Sequence, residues 1–509
     1  MSAAAVPALI VFVVYFTGML GIGAFVYNKN KSLSDFVIGG RSLGKWVAAL
    51  SAQASDMSGY ILVALPGAAY ATGLGAGWIA VGLAIGTYLN WRFTAAPLRL
   101  YTEQAGALQK PGGSITISEY FENRFEDRTR LLRLISAVII VFFFSIYVAS
   151  GLAAGSLLFG EVFGIDANLS ITIMVLIIVS YTFLGGFLAV SYTDFVQGTL
   201  MWIALMIVPF VVIAALGGLN SMFEGIRSES PELLSPTASV SIADGGWAVG
   251  GGLGVVVILS GLAWGLGYFG QPHILARFMG IRSTAEIPLA RRISTVWVVT
   301  GLTAAMLVGL AAIVHFDQQL SNPETAFIGM IQDVVNPWIG GVLLAAILAA
   351  VMSTADSQLL VASSALSEDF YRTFLNREAS DGHLLWIGRF TVVGVAIVAY
   401  ILALQGGSVL DLVSYAWAGF GAAFGPVILV SLFWRGMNRA GALAGMISGA
   451  VTVVLWNQLD PFGWGLYELL PAFVISLVFI AVFNLIGNHP SERMREDFDA
   501  VRCTEGVRS

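Results

Sequence analysis

Apolar runs of 17 to 29 residues recur along this chain with short polar joints between them, and that pattern alone predicts its elements. Thirteen such runs are expected as membrane-spanning helices, at 6–27, 46–70, 76–97, 135–159, 169–189, 195–217, 247–269, 293–316, 338–366, 384–404, 409–433, 440–456 and 467–486. Lipid offers the backbone no hydrogen bonds, so each run is expected to close its own as a helix. The polar stretches 98–134, 218–246 and 487–509 are too short for a soluble domain. The fold class is therefore an all-α polytopic membrane protein, its partner the lipid bilayer.

Two spans depart from plain helix. The second holds Ser55, Asp56, Met57, Ser58 and Gly59 in its middle. The seventh crowds Gly261, Gly265, Gly267, Gly270 and Pro272 together, which suits either a break or close helix packing. Gly441, Gly445 and Gly449 are assigned to packing. The broken spans are five apart, and five is odd, so spans 2–6 and 7–11 run in opposite directions. Paired broken helices in two inverted halves point to the central site of a secondary transporter. The expected organisation is an extra helix at 6–27, a first repeat at 46–217, an inverted second repeat at 247–433, two extra helices at 440–486 and a cytoplasmic tail at 487–509.

Composition agrees with this reading: 57% of the residues are hydrophobic and 11% charged, against about 25% charged in soluble domains. Placing the odd-numbered joints and the tail on one side gathers 24 of the 25 Lys and Arg, leaving Arg227 on the other. The positive-inside rule then puts the N-terminus outside and the C-terminus in the cytoplasm. Residues 1–5 carry no Lys or Arg, which argues against a cleaved signal peptide. The single cysteine, Cys503, lies in the tail.

The chemistry is in the broken spans and the ninth. In span 9, Ala350, Ser353, Thr354 and Ser357 share one helix face, with Asp356 beside it. One hydroxyl would simply bond its own backbone. Three together, with an acid that costs about 2.5 to 3.5 kcal/mol to insert at mid-helix, mark a functional face. Hydroxyls and carbonyls freed by a break form a hard, weak, monovalent-type cation site. No His/Cys/carboxylate set has zinc spacing, and His273, His315, His383 and His489 all fall at or beyond span ends. No nucleophile–base pair is expected at membrane depth, so the chain is not read as an enzyme. No stretch calls for nucleic acid, an organic cofactor or an obligatory protein partner.

The segments "GGRSLG", "ALSAQASDMSGY", "GGFLAVSYTDFVQ", "WGLGYFGQPHILARFM", "ILAAVMSTADSQLLV" and "SYAWAGFGAAFGP" resemble, in order, the sodium:solute symporter family. The resemblance runs from about residue 10 to 486. It implies a LeuT-type 5+5 inverted-repeat core in a bacterial plasma membrane, with Na+ as the coupling ion and L-proline as the solute. It implies Na+ ligands at the carbonyls of Ala54, Met57 and Ala350 and the hydroxyls of Ser353 and Thr354, with Asp56 near them. It places the solute among Ser58, Gly59, Tyr60, Tyr147, Trp264, Tyr268, Gln271 and Pro272. Asp194, Asp356 and Ser357 offer a second cation site or a release path. The chain departs from the resemblance at Tyr60, where Trp is expected. Another small carboxylate on the same machine, and a passive channel, remain as rival readings.

Overall fold

The computed structural model describes residues 5–27, 33–107, 113–183, 186–243, 245–250, 255–461, 463 and 465–508. The helices that build the bundle and its site, in chain order, are α1 (Ala5–Tyr27), α2 (Lys45–Met57), α3 (Leu65–Thr72), α4 (Gly77–Phe93), α5 (Leu131–Phe163), α6 (Ala167–Thr182), α7 (Phe187–Ala215), α8 (Val255–Ala263), α9 (Pro272–Gly280), α10 (Ile287–His315), α11 (Pro337–Ser364), α12 (Asp381–Leu404), α13 (Val409–Phe433), α14 (Arg439–Leu459), α15 (Leu469–Ile486) and α16 (Glu492–Arg508). Their starts follow local chemistry. Ser380, Ser408 and Asn438 each accept an N–H of the first turn that follows, of His383, Asp411 and Gly441.

Among the described residues ten helices are long and apolar enough to cross a membrane, or eleven when the pair Val255–Gly270 and Pro272–Gly280, bent by 48°, is one span. The expected thirteen are thus not all matched by full-length helices. α2 stops at Met57, so the second span is split in two, and α6 is only 16 residues long. Residues 251–254 of the expected seventh span lie outside the described residues.

Two elements were not expected. A hairpin pairs β1 (Val240–Ala243) with β2 (Gly246–Val249), Val240 opposite Val249 and Ile242 opposite Trp247. Trp247 donates its indole N–H to the carbonyl of Tyr70, fixing the hairpin to the end of α3. The tail forms α16, which buries Met494, Phe498 and Val501 and ties Asp499 to Arg435 just beyond α13.

The glycines of the seventh span serve packing as well as the break. A Cβ on Gly265 would lie 2.4 Å from the carbonyl oxygen of Gly82 on α4, and one on Gly270 would lie 2.1 Å from that of Phe420 on α13. Backbone meets backbone there, which only glycine permits. Gly445 and Gly449 pack likewise, against Ile480 and the carbonyl of Ala422. The core of the bundle is α11, buried along nearly its whole length from Gly340 to Ser364.

Candidate functional site

α2 ends because Ser58 takes a φ of 46°, a left-handed value that no helix continues through. The chain resumes as a wide turn at Tyr60–Ala64. The last four carbonyls of a helix have no partner within it. Two of those on α2 are met by side chains from other helices. The carbonyl of Ala54 accepts Ser353 Oγ at 2.8 Å and Thr354 Oγ1 at 3.3 Å, and Ser353 also reaches the Ala350 carbonyl at 3.2 Å. The carbonyl of Asp56 accepts the Tyr147 hydroxyl at 3.3 Å. The expected cation donors Ala54, Ala350, Ser353 and Thr354 are therefore brought together, all buried, with Met57 ending the same turn. Each hydroxyl now donates to a carbonyl. Rotated, each would present a lone pair instead.

The Asp56 side chain points away from these donors. Its Oδ2 accepts the Tyr268 hydroxyl at 2.6 Å. Asp56, Met57, Tyr60, Tyr147 and Trp264 line one small cavity, with Leu83, Val413 and Trp417. Tyr60 and Trp264 stack with ring centres 5.4 Å apart, and Trp264 stacks in turn on Tyr467 at 5.3 Å. The Tyr60 hydroxyl is buried with no hydrogen-bond partner among the described residues. The cavity holds about 10 Å3, room for one water, so a solute needs these rings to part.

The expected site residues Ser58, Gly59, Gln271 and Pro272 do not line this cavity. Ser58 Oγ accepts the Tyr60 N–H at 3.1 Å, and a Cβ on Gly59 would lie 2.6 Å from the Ala154 Cβ, so both shape the break. Gln271 spends its amide N–H groups on the carbonyls of Gly267 and Trp417, each at 3.1 Å. Pro272 opens α9 and lines a different cavity with Val37, Ile115 and Asp369. Trp417 was not singled out from sequence. It lies T-shaped against Tyr268 and donates to the Trp264 carbonyl at 2.8 Å. An aromatic ring within the small-residue run "AWAGFGAA" was the available signal.

One turn below the Ala54 donors lies a second polar knot. Asp194 Oδ2 accepts Ser51 Oγ at 2.7 Å and Ser55 Oγ at 3.2 Å, and Ser55 meets Ser357 Oγ at 2.9 Å. Ser357 also reaches Asp356 Oδ1 at 3.4 Å. The structure adds what the sequence reading missed: Arg277, wholly buried, bridges Asp194 at 3.0 Å. Its neighbour His273 is also wholly buried, against the rings of Phe144 and Tyr147. The expectation that every histidine falls at or beyond a span end is corrected for His273. The bend at Gln271 turns α9 back into the bundle and carries both residues to its centre.

A family model for the sodium:solute symporter family matches residues 36–449. The chain is 47% identical over 501 residues to the sodium/proline symporter of Escherichia coli (strain K12), covering 97% of this chain and 95% of that one. It is 46% identical over 492 residues to the high-affinity proline transporter PutP of Bacillus subtilis (strain 168), covering 96% and 99%. Among solved structures, the substrate-bound outward-open state of a Na+-coupled sialic acid symporter matches with a TM-score of 0.77 at 19% identity, covering 96% of this chain and 99% of that one. A second match, a nucleobase-cation-symport transporter in a closed conformation, has a TM-score of 0.53 at 15% identity. These two likenesses are of fold, that of the LeuT-type sodium symporters.

Proposed function

The chain belongs to the sodium:solute symporter family, and on that premise we propose that it takes up L-proline across a bacterial plasma membrane, driven by Na+ through alternating access. The observation that carries this reading is the convergence of Ser353 and Thr354 on the Ala54 carbonyl at the break in α2. Na+ enters among the carbonyls of Ala54, Met57 and Ala350, and the two hydroxyls turn their lone pairs to it. Neutral oxygens bind a monovalent ion weakly enough to release it. The ion draws α2 onto α11, which steadies the break where the solute sits.

Proline is an apolar ring bearing a carboxylate and a secondary ammonium. Trp264 and Tyr60 supply flat faces for the ring. Asp56, oriented by Tyr268, takes the ammonium, and N–H groups freed around Ser58 and Gly59 take the carboxylate. Tyr147 holds the break through the Asp56 carbonyl. Binding is reciprocal: Na+ raises the affinity for proline by the factor that proline raises that for Na+. Inward movement of one charge gains about 2.3 kcal/mol per 100 mV of membrane potential.

Two broken helices facing one another across the cavity, Asp56 and Tyr60 from one and Trp264 and Tyr268 from the other, support inverted repeats at 46–217 and 247–433. The charge partition supports an outside N-terminus and a cytoplasmic C-terminus.

The test is uptake of labelled proline into proteoliposomes under an inward Na+ gradient, for wild type and the Ser353→Ala/Thr354→Ala double variant. The expected result is Na+-driven accumulation that the double variant loses or recovers only at far higher Na+. Wild type that ignores proline but accumulates another small carboxylate would overturn the solute assignment. Wild type moving nothing with Na+ would overturn the coupling.

A further inference from the structure

Arg277 is 0% exposed, as is its partner Asp194. An arginine so placed is costly unless its donors are met, and four groups meet them. Nη2 donates to Asp194 Oδ2 at 3.0 Å and to Ser357 Oγ at 2.5 Å, Nε to Ser51 Oγ at 3.1 Å, and Nη1 to the His273 carbonyl at 2.9 Å. The guanidinium also lies over the Phe187 ring, 5.1 Å from its centre. Helices α2, α7, α9 and α11 thus meet on one cation.

The place of this knot matters. Ser51 precedes Ala54 by three residues on α2, and Ser357 follows Thr354 by three on α11. Both steps are about one helical turn in the same direction, so the guanidinium stands directly beneath the Ala54 donors. Without the guanidinium, the surrounding groups would be one carboxylate, the hydroxyls of Ser51, Ser55 and Ser357, and the His273 carbonyl. That is an oxygen donor set from four helices, of the kind that binds hard cations. Asp194 Oδ1 is moreover buried with no hydrogen-bond partner among the described residues, a carboxylate oxygen held in reserve.

We propose that the Arg277 guanidinium is a resident cation filling a second Na+-type site beneath the Ala54 donors, and that it holds the chain to a single bound Na+. The inference rests on the Na+ site proposed above. It assigns Asp194 and Ser357 to a site whose cation is built in. Because Arg277 rides on α9, beyond the bend at Gln271, a shift of α9 empties or refills this site. The way down from Ala54 is therefore plugged while α9 stays docked.

The experiment counts 22Na+ bound per purified full-length chain at saturation, with no solute needed. Wild type binds about one Na+ and Arg277→Gln binds about two. Arg277→Lys keeps a cation in place and stays at about one, and Asp194→Asn/Arg277→Gln returns to about one because the carboxylate is gone. Two Na+ on wild type would overturn the proposal, and so would two on Arg277→Lys. A folded Arg277→Gln that binds one would also overturn it. Wild type that binds no Na+ would remove the Ala54 site itself, and this inference with it. Should Arg277→Gln fail to fold, Arg277→Met takes its place with the same expected count, and two Na+ on wild type or on Arg277→Lys would still overturn the proposal.

Discussion

Asp56 and Arg277 show which single residues a sequence betrays. Asp56 stands out because a carboxylate interrupts an apolar run, and Ser353, Thr354 and Ser357 because helical spacing stacks them on one face. Arg277 falls near the expected cytoplasmic end of the seventh span, where basic residues belong, and so reads as an ordinary flanking charge. Only the bend at Gln271 reveals that it points into the core. The direction of Asp56 was equally hidden. It faces the Tyr268 hydroxyl and the cavity, not the Ser353 and Thr354 hydroxyls. A measurement follows at this scale. Tyr268→Phe removes one neutral donor from a buried carboxylate, and such bonds to charged groups contribute about 1.5–3 kcal/mol. The apparent affinity for proline should fall by roughly tenfold to a hundredfold, while Na+ binding measured without solute changes little. Equal losses of both would mean that Asp56 serves the ion, not the solute.

At the scale of elements, both interruptions were legible and their forms were not. The break in α2 was expected around Ser55–Gly59, and the helix gives way at Ser58, through one left-handed residue. Composition cannot say which residue of such a cluster bears the strain, because tertiary contacts decide it. In the seventh span, glycine content could not separate unwinding from packing. Both occur: the segment Trp264–Gly270 tightens into a 3-10 turn, and its glycines lie on neighbouring backbones. α16 was hidden because its sequence is strongly charged, with a thin apolar stripe of Met494, Phe498 and Val501. The packing role is testable. Gly265→Ala drives a methyl group into the Gly82 carbonyl, which cannot rotate aside. Overpacking of this kind costs about 1–3 kcal/mol, so the unfolding temperature in detergent should drop. Gly394→Ala on α12 meets nothing within 4 Å and should cause no loss. If Gly265→Ala were as stable as wild type, the α4 contact would have slack that the structure does not show.

For the whole molecule, hydropathy and charge placement answer different questions. Hydropathy marked thirteen spans, yet ten or eleven helices pass a length test among the described residues, since a split span is not a long helix. The alternation of basic and acidic joints tolerates such breaks, because it counts crossings rather than helix lengths. It predicts that the tail, with its single cysteine, lies in the cytoplasm. Cys503 is exposed on α16, and the Asp499–Arg435 ion pair ties that helix to the end of α13, where basic residues again gather. A membrane-impermeant maleimide should therefore label Cys503 in inside-out vesicles and not in intact right-side-out ones. Cys503→Ser should remove the signal from both. Labelling only from outside would invert the molecule. Ser357 and Arg277 would then lie above the Ala54 donors on the entry side, and the guanidinium would guard the arrival of Na+ rather than its release.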